Sequence, residues 1–582
     1  MIVRLLSQGI ILHNPPSTLL HYLEGMVHSR LIAPKLKREG RGFVTEDGDR
    51  YFYIDKAAND YYYHISQLEN LKSAINLAQG KGQLGKVTYV KEPVSSGVDV
   101  KFKNYKFDMV VPDDNPKVYE MYGFQNEVTE KAMEPGRRQT IFAIQTGRGK
   151  TKSFQKVMVK KSKRTCIIVR PAYKDKWRND CVTDKTGLYE PSARVRVATG
   201  VDGINLLIDD AKNGRLDRMN ISTIIIPTTS LKLWLEWHSS SVSINRINLW
   251  EFYSILGVGN VGYDEIHEHF HTVYLAGMIL NPPPTVEMSA TLVPSKSKEF
   301  IRQRYLERFP LKYRLTIPVI RICKVGFFYY SIMVNKFLHR VDRMAMYNHK
   351  TFEDYLYQHS MLEDYFDMVY SIMVNGYLNS YQDGQRAIVF FSLVQTCTDF
   401  TEYVKRRLSE EDRPKLNVVR YVADDKYDDL MKADVAISTP GKAGTAIDLP
   451  GLVLALVTTA IDDRQLNEQI AGRPRKPTKW EMDPLVIFTH CRELTKHNRY
   501  LNSRMEALNL VAKKLSVVDT SYKINGIEKP NVHLSPTKSD IGTNTERGKQ
   551  LKVLEKFKRR VAKKQRFDKR QRRKNFKRGR RG

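Results

Sequence analysis

Residues 139–153 read QTIFAIQTGRGKTKS, and this stretch decides how the rest of the chain is read. The apolar run TIFAI reads as a strand, a short segment with glycines at 147 and 149 follows, and a helical run begins after it. Strand, glycine loop and helix in that order make the context of a phosphate-binding loop. Its glycines let backbone N–H groups approach phosphate oxygens, and the helix N-terminus adds partial positive charge. Lys150 is then placed to reach the β- and γ-phosphates of ATP, and Thr151 to ligate Mg²⁺ through its hydroxyl. Thr146, Gly147, Arg148, Gly149 and Lys152 complete the loop. The simple GxxxxGK pattern is not met, because Ile144 stands at its first-glycine position.

Outward from the loop, strand-like runs TIFAIQTG, TCIIVRP, STIIIPT and TVEMSAT alternate with amphipathic segments between about 119 and 296. That alternation is the signature of βαβ units and a parallel sheet. A second series, AIVFFS, LNVVRYV, DVAIST, LVLALVTTA and PLVIFTH, runs between 386 and 515. The fold expected is therefore α/β, with two tandem doubly wound parallel-sheet domains. Residues 1–118 mix short apolar and aromatic segments such as VTYVKEPV and VDVKFKNYKFDMVV, and predict a small accessory domain, mixed α/β or mostly β and open to a role in DNA binding. Residues 297–385 read as a helix-rich connecting segment in which YSIMVN occurs twice, at Tyr330 and Tyr370, suggesting two similar core-facing helices. Residues 516–582 read as a polar linker and a basic tail.

Downstream of the loop stands YDEIHEHF. Asp264 can hold Mg²⁺, Glu265 can orient and deprotonate an attacking water, and His267 can link this site to the neighbouring domain. The same letters also spell H-E-x-x-H through His267, Glu268 and His271, a zinc pattern when carried on a helix. Magnesium is preferred, because Lys150 and Thr151 need an acidic partner and the zinc pattern starts inside the acidic pair.

These motifs and those that follow occur in the order seen in superfamily 2 helicases of the DExH kind, and the loop fits that family's tighter TGxGKT form. Gln125 in YGFQNE resembles the family's Q motif and would read the adenine. IIVRPAYKDKW, with Arg170, Lys174 and Trp177, resembles motif Ia; Thr228 and Thr229 resemble the later strand-contacting motif of the same domain. Ser289, Ala290 and Thr291 spell the SAT that couples hydrolysis to movement. Ser392 resembles motif IV, Thr439 and Asp448 fall in a motif V-like ISTPGKAGTAIDLPG, and Gln469, Arg473 and Arg475 in a motif VI-like NEQIAGRPRK. Ala446 stands where the family has glycine, and the second arginine comes one residue early, so the arginine-finger role falls on Arg473 and Arg475 together. The resemblance covers roughly 121–492. It implies RecA-like domains, ATP and Mg²⁺ as cofactors, catalytic roles for Lys150, Asp264, Glu265, Gln469, Arg473 and Arg475, and nucleic-acid contacts through Arg170, Lys174, Trp177, Thr228, Thr229, Ser392 and Thr439.

The formal net charge of +31 fits such a partner, since a chain this basic attracts polyanions and gains affinity by releasing their counterions. From Lys549 to Gly582 there are 18 Lys plus Arg against two acids, a surplus of 16. The tail could also dock a protein partner. DNA is favoured over RNA, because RPAYKDKW with its tryptophan resembles DNA translocases and the layout resembles tailed-phage branch-migration helicases of the UvsW type. An RNA helicase and a nucleic-acid-binding protein with a degenerate ATPase core are the alternatives. No stretch approaches the roughly 20 apolar residues of a membrane span, the N-terminus lacks signal-peptide features, and five scattered cysteines form no framework. An intracellular protein is expected, cytoplasmic, in the host cytoplasm if of phage origin.

Overall fold

The computed structural model describes residues 1–39, 42–102, 105, 116–144, 148–183, 188–240, 246–267, 269–289, 299–316, 321–332, 342, 347–413, 415–423, 425–444, 449–474, 479–509 and 511–524. The chain divides into two compact units, Met1–Pro318 and Val319–Gly582.

The first unit is built on seven parallel strands: β1 (Gln139–Ala143), β2 (Thr165–Val169), β3 (Val195–Val197), β4 (Thr223–Pro227), β5 (Asn260–Asp264), β6 (Thr285–Ser289) and β7 (Arg314–Thr316). Their spatial order is β3-β4-β2-β5-β6-β1-β7. Sheets covered on both faces by helices read as unbroken apolar runs, and every residue of β2, β4, β5 and β6 is buried.

The second unit repeats the plan with β8 (Lys324–Ile332), β9 (Arg386–Phe390), β10 (Val418–Tyr421), β11 (Val435–Ser438), β12 (Leu452–Val457), β13 (Leu485–Cys491) and β14 (Lys514–Ile524). Its order, β10-β11-β9-β12-β13-β8-β14, is the same permutation of seven parallel strands. The chain thus carries two tandem RecA-like doubly wound α/β domains.

Three expectations need correction. The stretch 297–385 holds the helices Glu299–Arg308, His349–Gln358 and Leu362–Gly376, but it also enters both sheets. Its first part completes the first sheet with β7, and its middle supplies β8, which pairs with both β13 and β14 of the second. The run KVGFFYYSI is almost wholly buried and rich in aromatic residues, which favours a strand between two neighbours. The two YSIMVN copies also differ. Tyr330–Ile332 end β8, whereas the second copy lies inside the helix Leu362–Gly376. The polar segment expected from 516 begins within β14, an 11-residue strand; the basic tail lies outside the described residues.

Residues before the first parallel sheet form a five-stranded mixed sheet from Tyr53–Asp55, Asp60–His64, Gly9–His13, Ile2–Leu5 and Thr88–Lys91, in that order. An antiparallel ribbon, Ile32–Glu39 with Gly42–Arg50, stands beside it. Of the run expected as a strand at 98–111, the described part makes only isolated bridges at Asp99 and Tyr105. The mixed sheet shares one apolar core with the parallel sheet, in which Ile10, Leu12 and Tyr63 join Ile224, Trp234, Tyr274 and Met278. Polar contacts reinforce the join. The Ser7 N–H donates to Asn281 Oδ1 at 2.8 Å, the Tyr53 hydroxyl to the Leu235 carbonyl at 2.7 Å, and Arg246 reaches Asp55 at 2.6 Å.

Candidate functional site

In open α/β sheets, ligands sit beyond the carboxyl ends of the strands, where the strand order reverses. In the first unit β5, β6 and β1 are neighbours, and the loop after β1, Asp264 at the end of β5 and Ser289 at the end of β6 all emerge at that edge. The Ile144 N–H donates to the Ser289 carbonyl at 3.1 Å, tying the start of the loop to β6. Gln145, Thr146 and Gly147 lie outside the described residues. Gly149 has φ +76°, and a Cβ there would stand 2.1 Å from Gln125 Nε2. The left-handed backbone favours glycine there, and the Gln125 amide occupies the space a side chain would take. Gln125, on the helix Pro116–Ala132, thereby lies against the loop.

Lys150 opens the helix Lys150–Lys161 and is buried, its Nζ 3.3 Å from the Ile144 carbonyl and 3.4 Å from Glu265 Oε1. Thr151 and Lys152 follow on the first turn, both half-buried. Glu265 has φ +46°, a left-handed conformation that costs a non-glycine residue on the order of 1 kcal/mol and collects at functional sites. Its N–H donates to Asp264 Oδ1 at 3.0 Å. His267 Nδ1 lies 2.7 Å from the Ser289 hydroxyl and 3.3 Å from Glu265 Oε2, and the Tyr305 hydroxyl donates to the His267 carbonyl at 3.1 Å. Four motif residues, Lys150, Glu265, His267 and Ser289, thus form one chain of polar contacts. Ala290 and Thr291 lie outside the described residues.

Burial, and next the neighbouring Glu265 charge, push the Asp264 carboxyl above the usual carboxylate range, opposed by Lys176, Lys150 and the Trp177 indole. The indole N–H donates to Asp264 Oδ2 at 2.7 Å. A hydrogen bond to a buried charged group contributes about 1.5–3 kcal/mol. This corrects the expectation that Trp177 touches nucleic acid: the ring has no exposure and packs edge-on to Phe154 at 6.0 Å. Thr228 is likewise buried at 2% exposure, while Thr229 is exposed.

Arg170 and Thr229 follow β2 and β4, which are adjacent strands. The Arg170 guanidinium lies 5.8 Å and Lys176 Nζ 5.7 Å from the centre of the Tyr173 ring. Burial, then the charges of Arg170 and Lys232, lower the pKa of His269. Arg170, Lys174, Lys176 and Lys232, with Thr229 among them, therefore make a basic margin beside the Asp264–Glu265 pair. Lys176, Lys232 and His269 escaped the motif reading because nothing in their spacing marks them.

The H-E-x-x-H pattern is divided between two jobs. His267 faces Ser289, whereas His271 Nε2 lies 2.7 Å from the Arg50 carbonyl in the antiparallel ribbon. Among the described residues no cluster of three His, Cys, Asp or Glu is arranged to hold a metal. The Asp264 carboxylate and Thr151 hydroxyl are hard oxygen donors of the kind Mg²⁺ takes with phosphates and waters, and the glycine cradle at 149 suits the phosphates.

In the second unit, Ser392 follows β9, Thr439 follows β11, and the helix Arg464–Ala471 with Gln469 follows β12, at the carboxyl ends of three adjacent strands. Arg473 Nε donates to the Gly444 carbonyl at 3.2 Å, joining the motif VI-like segment to the motif V-like one. Asp448 and Arg475 lie outside the described residues. Two supporting residues went unmarked in the sequence. Glu353 accepts the Ser392 and Leu393 N–H groups at 2.6 and 2.7 Å, and Arg504 donates to Asn467 Oδ1 at 3.0 Å on the helix that carries Gln469.

No protein-family model matches this sequence, and no curated protein matches it. Solved structures similar to it include S. cerevisiae Dbp5 bound to RNA and ADP BeF3, at 12% identity over 69% of this chain and 93% of that one, TM-score 0.41. Mycobacterium smegmatis helicase Lhr bound to ssDNA and AMP-PNP is 16% identical over 68% of this chain and 49% of that one, TM-score 0.41. DEAD-box helicase Mss116 bound to ssRNA and UDP-BeF is 12% identical over 73% and 82%, TM-score 0.43. At these values the function rests on the residues of this chain.

Proposed function

We propose that the protein is an ATP-driven nucleic-acid motor, a superfamily 2 helicase or translocase of the DExH kind. The observation that carries this reading is the contact chain at the β5-β6-β1 edge, where Lys150, Glu265, His267 and Ser289 meet beside Asp264. Lys150 binds the β- and γ-phosphates with the backbone of 146–149, and Gln125 reads the adenine. Asp264 and Thr151 hold Mg²⁺, which supplies charge neutralisation on the phosphates when bound. Glu265 orients and deprotonates the attacking water; the cation that charge developing on the γ-phosphoryl group needs is assigned, on the motif VI resemblance alone, to Arg473 and Arg475, with Gln469 in the same motif. His267 and Ser289 pass the state of the phosphate site to the segment after β6.

Nucleic acid is held through Arg170, Lys174, Thr229, Ser392 and Thr439. Backbone contacts of this kind carry little sequence information, so recognition is by structure. We take DNA as the track, with unwinding or branch migration as the work, on the layout of a small N-terminal sheet, two motor domains and a basic tail. The buried Trp177 no longer argues for DNA. The deciding experiment is ATP hydrolysis by wild type and Lys150→Ala, alone and with single-stranded DNA, branched DNA, or RNA of matched sequence. Stimulation by DNA that the substitution abolishes supports the reading; stimulation by RNA alone replaces the track; no hydrolysis with any of them overturns it.

A further inference from the structure

The helix that carries part of the basic margin also carries a donor to the acidic pair, Trp177. Arg170 follows β2 directly, a short turn, Pro171–Tyr173, comes next, and the helix Lys174–Val182 begins. Lys174 is its first residue, and Trp177 lies one turn further on. Lys174 is half-buried, Lys176 is exposed, and Trp177 points the other way into the core with no exposure. There its indole N–H donates to Asp264 Oδ2 at 2.7 Å, while Asp264 Oδ1 accepts the Glu265 N–H at 3.0 Å. The ring packs edge-on to Phe154 of the helix that Lys150 opens. One short helix therefore bears cations on its outer side and, on its inner side, the donor that fixes how the Asp264 carboxylate is turned. A shift of the helix at Lys174 therefore moves the indole donor, and with it the hydrogen bond to Asp264.

We propose that Trp177 is the positioning residue through which nucleic acid held at Arg170 and Lys174 sets the orientation of the Asp264 carboxylate, and so couples binding of the track to ATP hydrolysis. This rests on the motor reading above, in which Asp264 holds the metal. Trp177 touches neither nucleotide nor nucleic acid in it; the ring is the link between the two.

Trp177→Phe keeps the ring and removes the N–H. The ratio of nucleic-acid-stimulated to basal kcat is expected to fall at least five-fold, with KM for ATP within about two-fold of wild type. The Mg²⁺ concentration giving half-maximal tightening of ADP binding, read by calorimetry, is expected to rise several-fold. Phe154→Leu, which loosens the same packing but leaves the N–H in place, is expected to keep the stimulation ratio. Wild type that no nucleic acid stimulates overturns the motor reading itself. Wild type that is stimulated, beside a Trp177→Phe protein of equal ratio and equal Mg²⁺ dependence, overturns the role of Trp177 alone. Should Trp177→Phe not fold, wild type labelled with 5-fluorotryptophan at its five tryptophans answers the question, the Trp177 resonance being assigned by replacing the other four in turn. That resonance is expected to shift both with MgADP and with the nucleic acid that stimulates hydrolysis; a resonance unmoved by the nucleic acid overturns the proposal.

Discussion

Lys150 Nζ lies 3.4 Å from Glu265 Oε1, and both side chains are nearly buried. The pair joins the first residue of the helix Lys150–Lys161 to the residue after β5, so the two groups neutralise each other, and under the proposed function a triphosphate competes for the lysine. Glu265→Gln removes the negative charge but keeps the shape. ATP and nucleic acid are expected to bind within about three-fold of wild type, with kcat lowered by roughly 10²–10⁴, the range of general-base loss. Equilibrium binding of ATP beside steady-state turnover checks both, and normal hydrolysis would remove Glu265 from its role.

The Ser289 hydroxyl stands 2.7 Å from His267 Nδ1. Deleting it in Ser289→Ala cuts the contact between the acidic motif and the end of β6 without touching Lys150 or Asp264. Nucleic-acid-stimulated ATPase is expected to stay within about five-fold of wild type while strand separation or branch migration falls at least ten-fold. Parallel ATPase and unwinding assays on one preparation read this directly, and equal losses in the two would place Ser289 in hydrolysis instead.

Much of the plan was legible in the sequence because the strands are buried on both faces. TCIIV and TIIIP read as parallel strands from their apolar runs and from the amphipathic segments between them, and the loop, the acidic pair and Ser289 follow from where those strands end. NVGYD, with a central glycine and little apolar bulk, does not read as a buried strand, yet it is β5 and wholly buried. Its missing bulk comes from outside: a Cβ on Gly262 would stand 2.3 Å from the Phe154 ring, so the aromatic ring occupies the space a side chain would take. No local pattern announces a residue supplied by another element. The same holds for Glu353 and Arg504, single charges on amphipathic helices whose partners lie 39 and 37 residues away. Trp177 was misread for a related reason: its motif gives its neighbours' chemistry, while its burial is decided by Asp264 and Phe154.

Gly262→Ala tests that packing. The added methyl meets the end of a fully buried ring rather than a side chain that can swing to solvent, and overpacking of this sort costs about 1–3 kcal/mol. Because Phe154 lies on the helix that Lys150 opens, ATP affinity is expected to fall together with the melting temperature. Phe154→Leu in the Gly262→Ala background makes room again, and partial recovery of both quantities is expected. Recovery of neither would show that the glycine serves something other than this contact.

Glu353 gives the second unit a pH dependence whose sign is opposite to that of a surface carboxylate. The side chain is wholly buried, and burial pushes its pKa up from 4.5 to about 7 even though it accepts the Ser392 and Leu393 N–H groups. Below pH 4.5 the group is protonated in both folded and unfolded chains. Between 4.5 and 7 the unfolded chain ionises while the folded one keeps its proton, so stability falls as pH rises, by about 3 kcal/mol in all at roughly 1.4 kcal/mol per unit. His349, 3.8 Å away, works in the opposite direction, because burial lowers its pKa to about 3 and the unfolded chain alone takes up its proton below 6.5, but this contribution is common to wild type and a Glu353 variant and drops out of their difference. Glu353→Gln cannot ionise. Denaturant unfolding of wild type and variant at pH 5, 6, 7 and 8 is expected to show the wild-type transition of the second unit losing stability relative to the variant's as pH rises to about 7. Parallel lines for the two proteins would mean that the carboxylate is ionised in the folded chain throughout, held so by the two backbone donors at the head of the helix that follows β9.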